Sequence, residues 1–179
     1  MSNEYKDWER DRIEDEKQLI KIYPFLHARQ VDGTLDTDSK FPMIALEIPQ
    51  GWYRLFFQMC DELKVLLEKE NLLYDFYFLQ VKEKYNFLRC YCSNAPRSVS
   101  ELIAKYEQMA PYICTVCGKP ALWETTDYIA SFCSDCKKDD VKANLITFEP
   151  FFIENGGKRC EKKISFKPEW TRYLINGGK

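Results

Sequence analysis

The amino-acid sequence predicts an α+β fold, in which helices pack against a small antiparallel sheet and a compact four-cysteine unit follows. Three observations predict it: apolar residues at helical spacing over 51–70, alternating side chains over 73–92, and two Cys-x-x-Cys pairs. The chain is accordingly divided into an N-terminal helix and loop (1–40), an α+β core (41–111), the cysteine unit (112–138) and a C-terminal β-hairpin with a short helix or tail (139–179).

The composition of the chain excludes several classes of protein. The 179 residues suffice for one domain with a metal-bound appendage, and 12 Phe, 11 Tyr and 4 Trp supply a sizeable aromatic core. A net charge of -2 excludes the broad positive field of a histone-like protein and the acidic coat of a DNA mimic. No apolar run approaches the roughly 18–20 residues that cross a bilayer, and the polar N-terminus is unlike a signal peptide. We expect an intracellular protein without membrane association.

The first helix is predicted over residues 3–22 and ends before Pro24. Seven acidic and five basic residues surround a ragged apolar stripe, which is typical of a solvated surface helix; a partner-binding arm is the alternative. Residues 32–40 are predicted to form a loop, and Phe41–Ile48 has strand character that Pro42 weakens.

The second helix is predicted from Gly51 to about Glu70, because large apolar residues recur there at spacings of three, four and seven. Asn71 follows as a residue that can end it. The core-facing stripe consists of Trp52, Leu55, Phe56, Met59, Leu63, Leu66 and Leu67.

Two strands are predicted next, Leu73–Val81 and Tyr85–Cys92, separated by the polar run Lys82-Glu83-Lys84 and arranged as a hairpin or as neighbours. Aromatic residues alternate onto both faces, which predicts helices on one side of the sheet and an apolar cover on the other. A third helix is predicted to begin at Ser98 or Ser100, with Ser98 and Glu101 at the spacing of a capping box, and to end at Pro111.

Four cysteines form two pairs, Cys114-Thr-Val-Cys117 and Cys133-Ser-Asp-Cys136, with 15 residues between the pairs. Each two-residue spacer lets a tight turn point both thiolates at one metal, and the intervening segment returns the chain to close a tetrahedron. Gly118 follows the first pair, where such a turn often needs positive φ. The pattern predicts a zinc ribbon with one structural Zn²⁺ ion bound by these four cysteines, which leaves no open coordination position.

The other thiols carry no such pattern. Cys60 falls near the apolar stripe of the second helix, and Cys90 and Cys92 share one face of a strand, so buried free thiols explain all three. Cys160 lies in a polar stretch and stays unassigned.

Catalytic constellations are sparse in this sequence. A single histidine, His27, disfavours His-Cys nucleophile pairs, zinc deaminases and HNH-type nucleases. We therefore predict that the protein is not an enzyme. The alternative is an enzyme with a site for an anionic ligand near the Cys90/Cys92 pair, formed by Lys82, Glu83, Lys84 and Arg89. These four charged residues are also typical of a solvated polar turn.

The C-terminal segment contains Asn155-Gly156-Gly157-Lys158, a strong signal for a hairpin turn. Basic residues and one ring beside this turn are candidate contacts to a nucleic acid or to another partner: Lys158, Arg159, Lys162, Lys163 and Trp170.

Three stretches carry a resemblance: Gly51-Trp52-Tyr53 opening a helix, Gln80-Val-Lys-Glu-Lys-Tyr-x-x-Leu88-Arg89-x-Tyr91 around a turn, and Tyr-Ile-Cys114-x-x-Cys117-Gly118-Lys119-Pro120. Over residues 50–138 the chain resembles a group of small bacterial and phage proteins that have no established activity. Many of them have Gly-Gly in the hairpin turn, where this chain has Asn86-Phe87. Small phage proteins often bind and disable host proteins, including defence systems. The resemblance thus implies an interaction protein in the cytoplasm of a bacterial host cell.

Two binding functions are open at this point. The first is a protein-binding module, with a host protein as partner and exposed rings such as Tyr128 or Trp170 as anchors. The second is nucleic-acid binding through the zinc ribbon and the basic C-terminal hairpin, where phosphate attraction and ring stacking would hold a single strand.

Overall fold

The computed structural model describes residues 3–30 and 32–146, and the predicted α+β class is confirmed there. The elements in chain order are α1 (Asn3–Ile22), β1 (Leu46–Glu47), α2 (Tyr53–Lys69), β2 (Phe78–Lys84), β3 (Phe87–Cys92), α3 (Arg97–Met109), β4 (Trp123–Thr125), β5 (Ser131–Phe132) and β6 (Ala143–Leu145). Short 3₁₀ turns occupy Pro24–Leu26, Gln50–Trp52 and Ala110–Tyr112. The predicted C-terminal hairpin lies outside the described residues, together with Lys158, Arg159, Cys160, Lys162, Lys163 and Trp170.

The first sheet has the strand order β1-β2-β3. β2 and β3 form an antiparallel hairpin, whereas β1 pairs in parallel with β2, so the sheet is mixed rather than purely antiparallel. The strand expected over Phe41–Ile48 is reduced to Leu46–Glu47. Residues 42–44 instead bond to residues 26–28, with Ala28 N donating to Pro42 O and Ile44 N donating to Leu26 O.

The predicted position of the hairpin turn is wrong. Tyr85 and Asn86 both have positive φ, at 53° and 64°, as the two central residues of a type I′ turn require. The polar run Lys82–Lys84 belongs to the β2 ladder, so the turn consists of Tyr85-Asn86 and not of Asn86-Phe87. The strands also begin later than expected, at Phe78 and Phe87.

The core lies between the helices and one face of this sheet. Its fully buried rings pack at tilted and edge-on angles, for example Phe25 against Phe76 at 6.0 Å and Phe76 against Phe78 at 5.3 Å. The predicted stripe of α2 is confirmed, and Cys60 is buried within it. The fully buried aromatic residues are Tyr23, Phe25, Trp52, Phe56, Phe76 and Phe78.

The predicted capping box of α3 is wrong. The helix begins at Arg97, so Ser98 is already inside its first turn and the preceding residue, Pro96, makes no side-chain cap. Ser98 Oγ instead donates to Glu70 at the end of α2 (2.6 Å), and Glu101 pairs with Arg97 (2.7 Å).

Helix α1 ends before Pro24 as predicted, and its C-terminal half packs on the core. Leu19 and Glu16 are buried there. The Glu16 carboxylate is compensated by Arg12 Nε (2.8 Å) and by the backbone N–H of Met43 (3.2 Å), as a buried charge requires. This part of α1 is therefore integrated into the fold.

Candidate metal centre

The first cysteine pair lies in a tight turn that follows α3 directly through the 3₁₀ turn at Ala110–Tyr112. Cys114 N donates to Lys119 O (2.8 Å) and Gly118 N donates to Cys114 O (3.0 Å), which folds the chain around the sulfur atoms. Gly118 has φ +74°, so the expected positive φ is confirmed.

The second pair lies after β5. Cys136 N and Lys137 N both donate to Cys133 O, at 3.2 and 3.0 Å. The segment between the pairs forms part of a second antiparallel sheet, of order β5-β4-β6. Its third strand, Ala143–Leu145, comes from the chain after the second pair and adds to the unit that the sequence placed at 112–138.

The four sulfur atoms converge, as the spacing predicts. Those of Cys114, Cys117, Cys133 and Cys136 all lie within 4.8 Å of one another, and Cys117 and Cys133 are 3.5 Å apart. Thiolates at about 2.3 Å from a central ion in a tetrahedron lie about 3.8 Å from one another, so the cluster fits one metal ion. Cys114 and Cys133 are buried, whereas Cys117 is exposed.

The thiols of the cluster differ in pKa, because their surroundings differ. Burial raises the pKa of Cys114, but backbone N–H groups of Cys133, Cys117 and Val116 outweigh this effect and lower the pKa to about 7. Desolvation, followed by hydrogen bonds with the neighbouring sulfur groups, raises the pKa of Cys136. A cation bound at the cluster would favour the thiolate form of all four groups.

An ion pair joins the two cysteine turns across the outside of the cluster. Lys119 Nζ donates to Asp135 Oδ2 at 2.7 Å. Both side chains are mostly solvent-exposed, so the pair orients the turns more than it stabilises them.

Two glycines bring the first cysteine turn into backbone contact with the start of α2. Gly51 N donates to Thr115 O (2.9 Å), and a Cβ on Gly51 would lie 2.1 Å from Cys114 O. A Cβ on Gly118 would lie 2.7 Å from Gly51 O. Trp52 strengthens the contact, because its indole Nε1 donates to Ile113 O (3.1 Å). The Gly-Trp motif before α2 therefore serves to dock the cysteine unit.

A second attachment is made by the tip of the β2–β3 hairpin. Asn86 is 1% exposed, and its Nδ2 donates to Glu124 Oε1 (3.0 Å) and Ser131 Oγ (2.7 Å). Ser131 Oγ in turn donates to Pro111 O (2.5 Å). Asparagine suits this position for two reasons: it tolerates positive φ, and its amide reaches both β4 and β5. Sequence reasoning missed the contact, since nothing local pairs Asn86 with residues about 40 positions away.

The three other thiols in the described part of the chain, those of Cys60, Cys90 and Cys92, do not belong to this cluster. Cys90 shares the covered face of its strand with Leu88, and burial together with the nearby Glu107 carboxylate raises the pKa of Cys90 and Cys92. Burial likewise raises the pKa of Cys60. All three are therefore held as protonated thiols at neutral pH.

The three cations of the hairpin are separated from Cys90 and Glu83 by the sheet itself. Lys82, Lys84 and Arg89 alternate with Glu83 and Cys90, and thus lie on the opposite face of the sheet. Glu83 accepts hydrogen bonds from Asn86 N (2.6 Å) and Tyr128 OH (3.3 Å) instead.

Comparison with known proteins adds no assignment: no family model, curated protein or solved structure matches the chain. Among the described residues, none of the helices has the length and apolar character that crossing a bilayer requires.

Proposed function

We propose that this is a non-enzymatic binding protein in which one structural Zn²⁺ ion organises a ribbon, and in which the α+β core and ribbon together present a surface to a macromolecular partner. The observation that carries the proposal is the four-cysteine cluster, which is attached to the core at both the Gly51 and the Asn86 contacts. A metal at this position would fix the surface that the two parts form.

Zinc is the metal that the ligand set favours. Four cysteine sulfurs in a tetrahedral arrangement suit Zn²⁺, with iron as the competing ion for the same donors. Four protein ligands also fill the tetrahedron, so the ion has no position for a substrate and acts on the fold.

The non-enzymatic part of the proposal is supported by the state of the other candidate groups. Burial raises the pKa of the Cys60, Cys90 and Cys92 thiols, which favours their protonated, less nucleophilic form at neutral pH. The resemblance to small phage proteins supports a host macromolecule as the partner.

Elemental analysis of the purified full chain tests the metal assignment. We expect one zinc per chain, and loss of that zinc in Cys117→Ser. The matched control is Cys92→Ser, a half-buried thiol outside the cluster, which should retain a full equivalent. Iron in place of zinc would overturn the identity of the metal, and a folded, metal-free chain would overturn the structural role.

A further inference from the structure

The face of the first sheet that points away from the helices carries rings and cations in alternation. Lys84 pairs with Phe87, Lys82 with Arg89, and Gln80 with Tyr91. These six residues, here termed the open face, lie on the side opposite buried Val81 and Leu88. Phe87 and Tyr91 are 41% and 46% exposed, so the described residues do not provide the apolar cover that the sequence predicted.

Each cation of the open face lies beside a ring. Lys82 Nζ is 5.3 Å from the centroid of Tyr91, and Arg89 Cζ is 5.1 Å from that of Phe87. Lys84 Nζ lies 5.7 Å from the ring of Tyr85, which is 72% exposed in the hairpin turn. Cation–π contacts of this kind hold the charged groups close to the rings without neutralising them.

The charge of the open face is compensated only in part. Lys82 lies directly opposite Arg89, and like charges at such cross-strand positions destabilise a sheet. Among the described residues neither lysine makes an ion pair, whereas Arg89 forms a long ion pair with the Glu107 carboxylate (4.0 Å). Glu47 is in register with Lys82 but accepts a hydrogen bond from Gln80 (3.4 Å). Binding of a polyanion would relieve this repulsion.

We infer that the open face binds single-stranded nucleic acid. This inference rests on the proposed binding function and names the class of partner. Unpaired bases stack on exposed aromatic rings, and lysine and arginine attract the phosphates between them. Phe87 and Tyr91 are four residues apart on one strand, which places them about 13 Å from each other with Arg89 between them. The arrangement therefore offers two stacking positions and a central phosphate contact.

A groove continues the open face beyond Tyr91. Its volume is about 470 Å³, within the range that holds a small organic group such as a base. The Nε of Arg29, on one wall, is buried and has no hydrogen-bond acceptor among the described residues. The lining includes Arg29, Ile44, Glu47, Leu79, Gln80 and Tyr91.

Charge argues against the chain's own C-terminal segment as the occupant. Residues 147–179 contain seven lysines and arginines and four glutamates, so the segment is basic like the open face. An apolar protein surface is also disfavoured, because it would desolvate Lys82 and Lys84 without supplying a counter-charge.

Fluorescence anisotropy of the full chain with a labelled oligothymidylate of about 15 nucleotides tests the inference, since that length spans a typical single-strand site. We expect saturable binding that weakens about ten- to twenty-fold between 50 and 200 mM salt, as contacts from three cations predict. Phe87→Ala/Tyr91→Ala should weaken binding by about ten-fold or more. Lys82→Ala/Arg89→Ala should reduce the slope of log affinity against log salt by about 1.4.

Matched controls separate the open face from general charge and exposed rings. Lys64→Ala/Lys69→Ala removes two cations from α2, on the covered side of the sheet, and Tyr74→Ala removes an exposed ring outside the strands. Both should bind as the parent does. Equal loss in the controls, full binding by the ring variant, or equal affinity for a duplex of the same length would each overturn the inference.

Zinc content and melting temperature are measured on the same samples. A chain with zinc bound that fails to bind the oligonucleotide overturns the inference and leaves the structural role of the metal intact. Nuclease-resistant capture of a host protein that is lost in Phe87→Ala/Tyr91→Ala would keep the proposed binding function but overturn nucleic acid as the partner. Loss of zinc from the parent chain would instead count against the proposed function.

Discussion

The α+β core and the cysteine unit are stabilised by different means. The core buries large rings and aliphatic side chains, including Trp52, Phe56 and Phe78. Within residues 112–146 the buried side chains are small or belong to the four-cysteine cluster: Cys114, Ala121, Ala130, Ser131 and Cys133. A unit with so little apolar burial has little driving force of its own, and the proposed metal takes the place of a hydrophobic core.

The largest expected effect comes from removing the metal. Cys114→Ser or treatment with a chelator should unfold the cysteine unit, because metal binding to such sites is worth on the order of 10 kcal/mol of folding free energy. Hydrogen exchange should then become fast for the amides of β4 and β5 and remain slow for those of α2. Equal protection of β4 and β5 with and without metal would contradict the contrast between the two regions.

The next effect tests the backbone contact between the regions. Gly118→Ala should destabilise the chain by at least about 2 kcal/mol, since a left-handed conformation alone costs about 1–2 kcal/mol and the Cβ would also overlap Gly51 O. Chemical denaturation measures the change. Gly33→Ala is the matched control, because Gly33 also has positive φ but faces only the end of the Tyr77 side chain. A similar loss in both variants would show that the contact with Gly51 adds nothing.

A smaller effect is expected at the hairpin tip. Asn86→Gly keeps the positive φ but removes the amide that joins the hairpin to Glu124 and Ser131, which should cost about 1–2 kcal/mol. Asn71→Gly is the control, since Asn71 has φ 58° at the end of α2. Thermal melting should separate the two variants, and equal melting temperatures would count against the docking role of Asn86.

The smallest effect is expected at the exposed ion pair. Lys119→Ala should leave the melting temperature and the zinc content unchanged, because the pair with Asp135 is screened by solvent. Loss of zinc from this variant would show that the pair holds the two cysteine turns together and that the unit depends on more than its metal.

The features that the sequence predicted correctly depend on the spacing of residues that are close together in the chain. The stripe of α2 and the end of α1 before Pro24 follow from helical periodicity and from the constraint on residues before proline. The convergence of four cysteines follows from two short spacers. In each case the signal is complete within a short stretch of sequence.

The features that it missed depend on contacts between distant segments. The turn at Tyr85-Asn86 lacks glycine, and Asn86 is suited to it by a partner on β5 as well as by its own preference. Ser98 has the spacing of a cap, yet its hydroxyl binds Glu70. The exposure of Phe87 and Tyr91 could not be predicted without knowing which face of the first sheet the helices cover.

The contact between Gly51 and Gly118 bears on whether the ribbon is a transferable module. Excision of the ribbon at Tyr112 would remove Ile113 O, the acceptor of the Trp52 indole N–H. It would also expose the backbone at the start of α2, where Gly51 N donates to Thr115 O. Grafting it onto another scaffold would require a glycine at the receiving helix, because any side chain there meets Cys114 O. The Gly-Trp motif and the first cysteine turn would therefore have to be transferred together, although more than 60 residues separate them in the chain. This holds for natural recombination and for protein engineering.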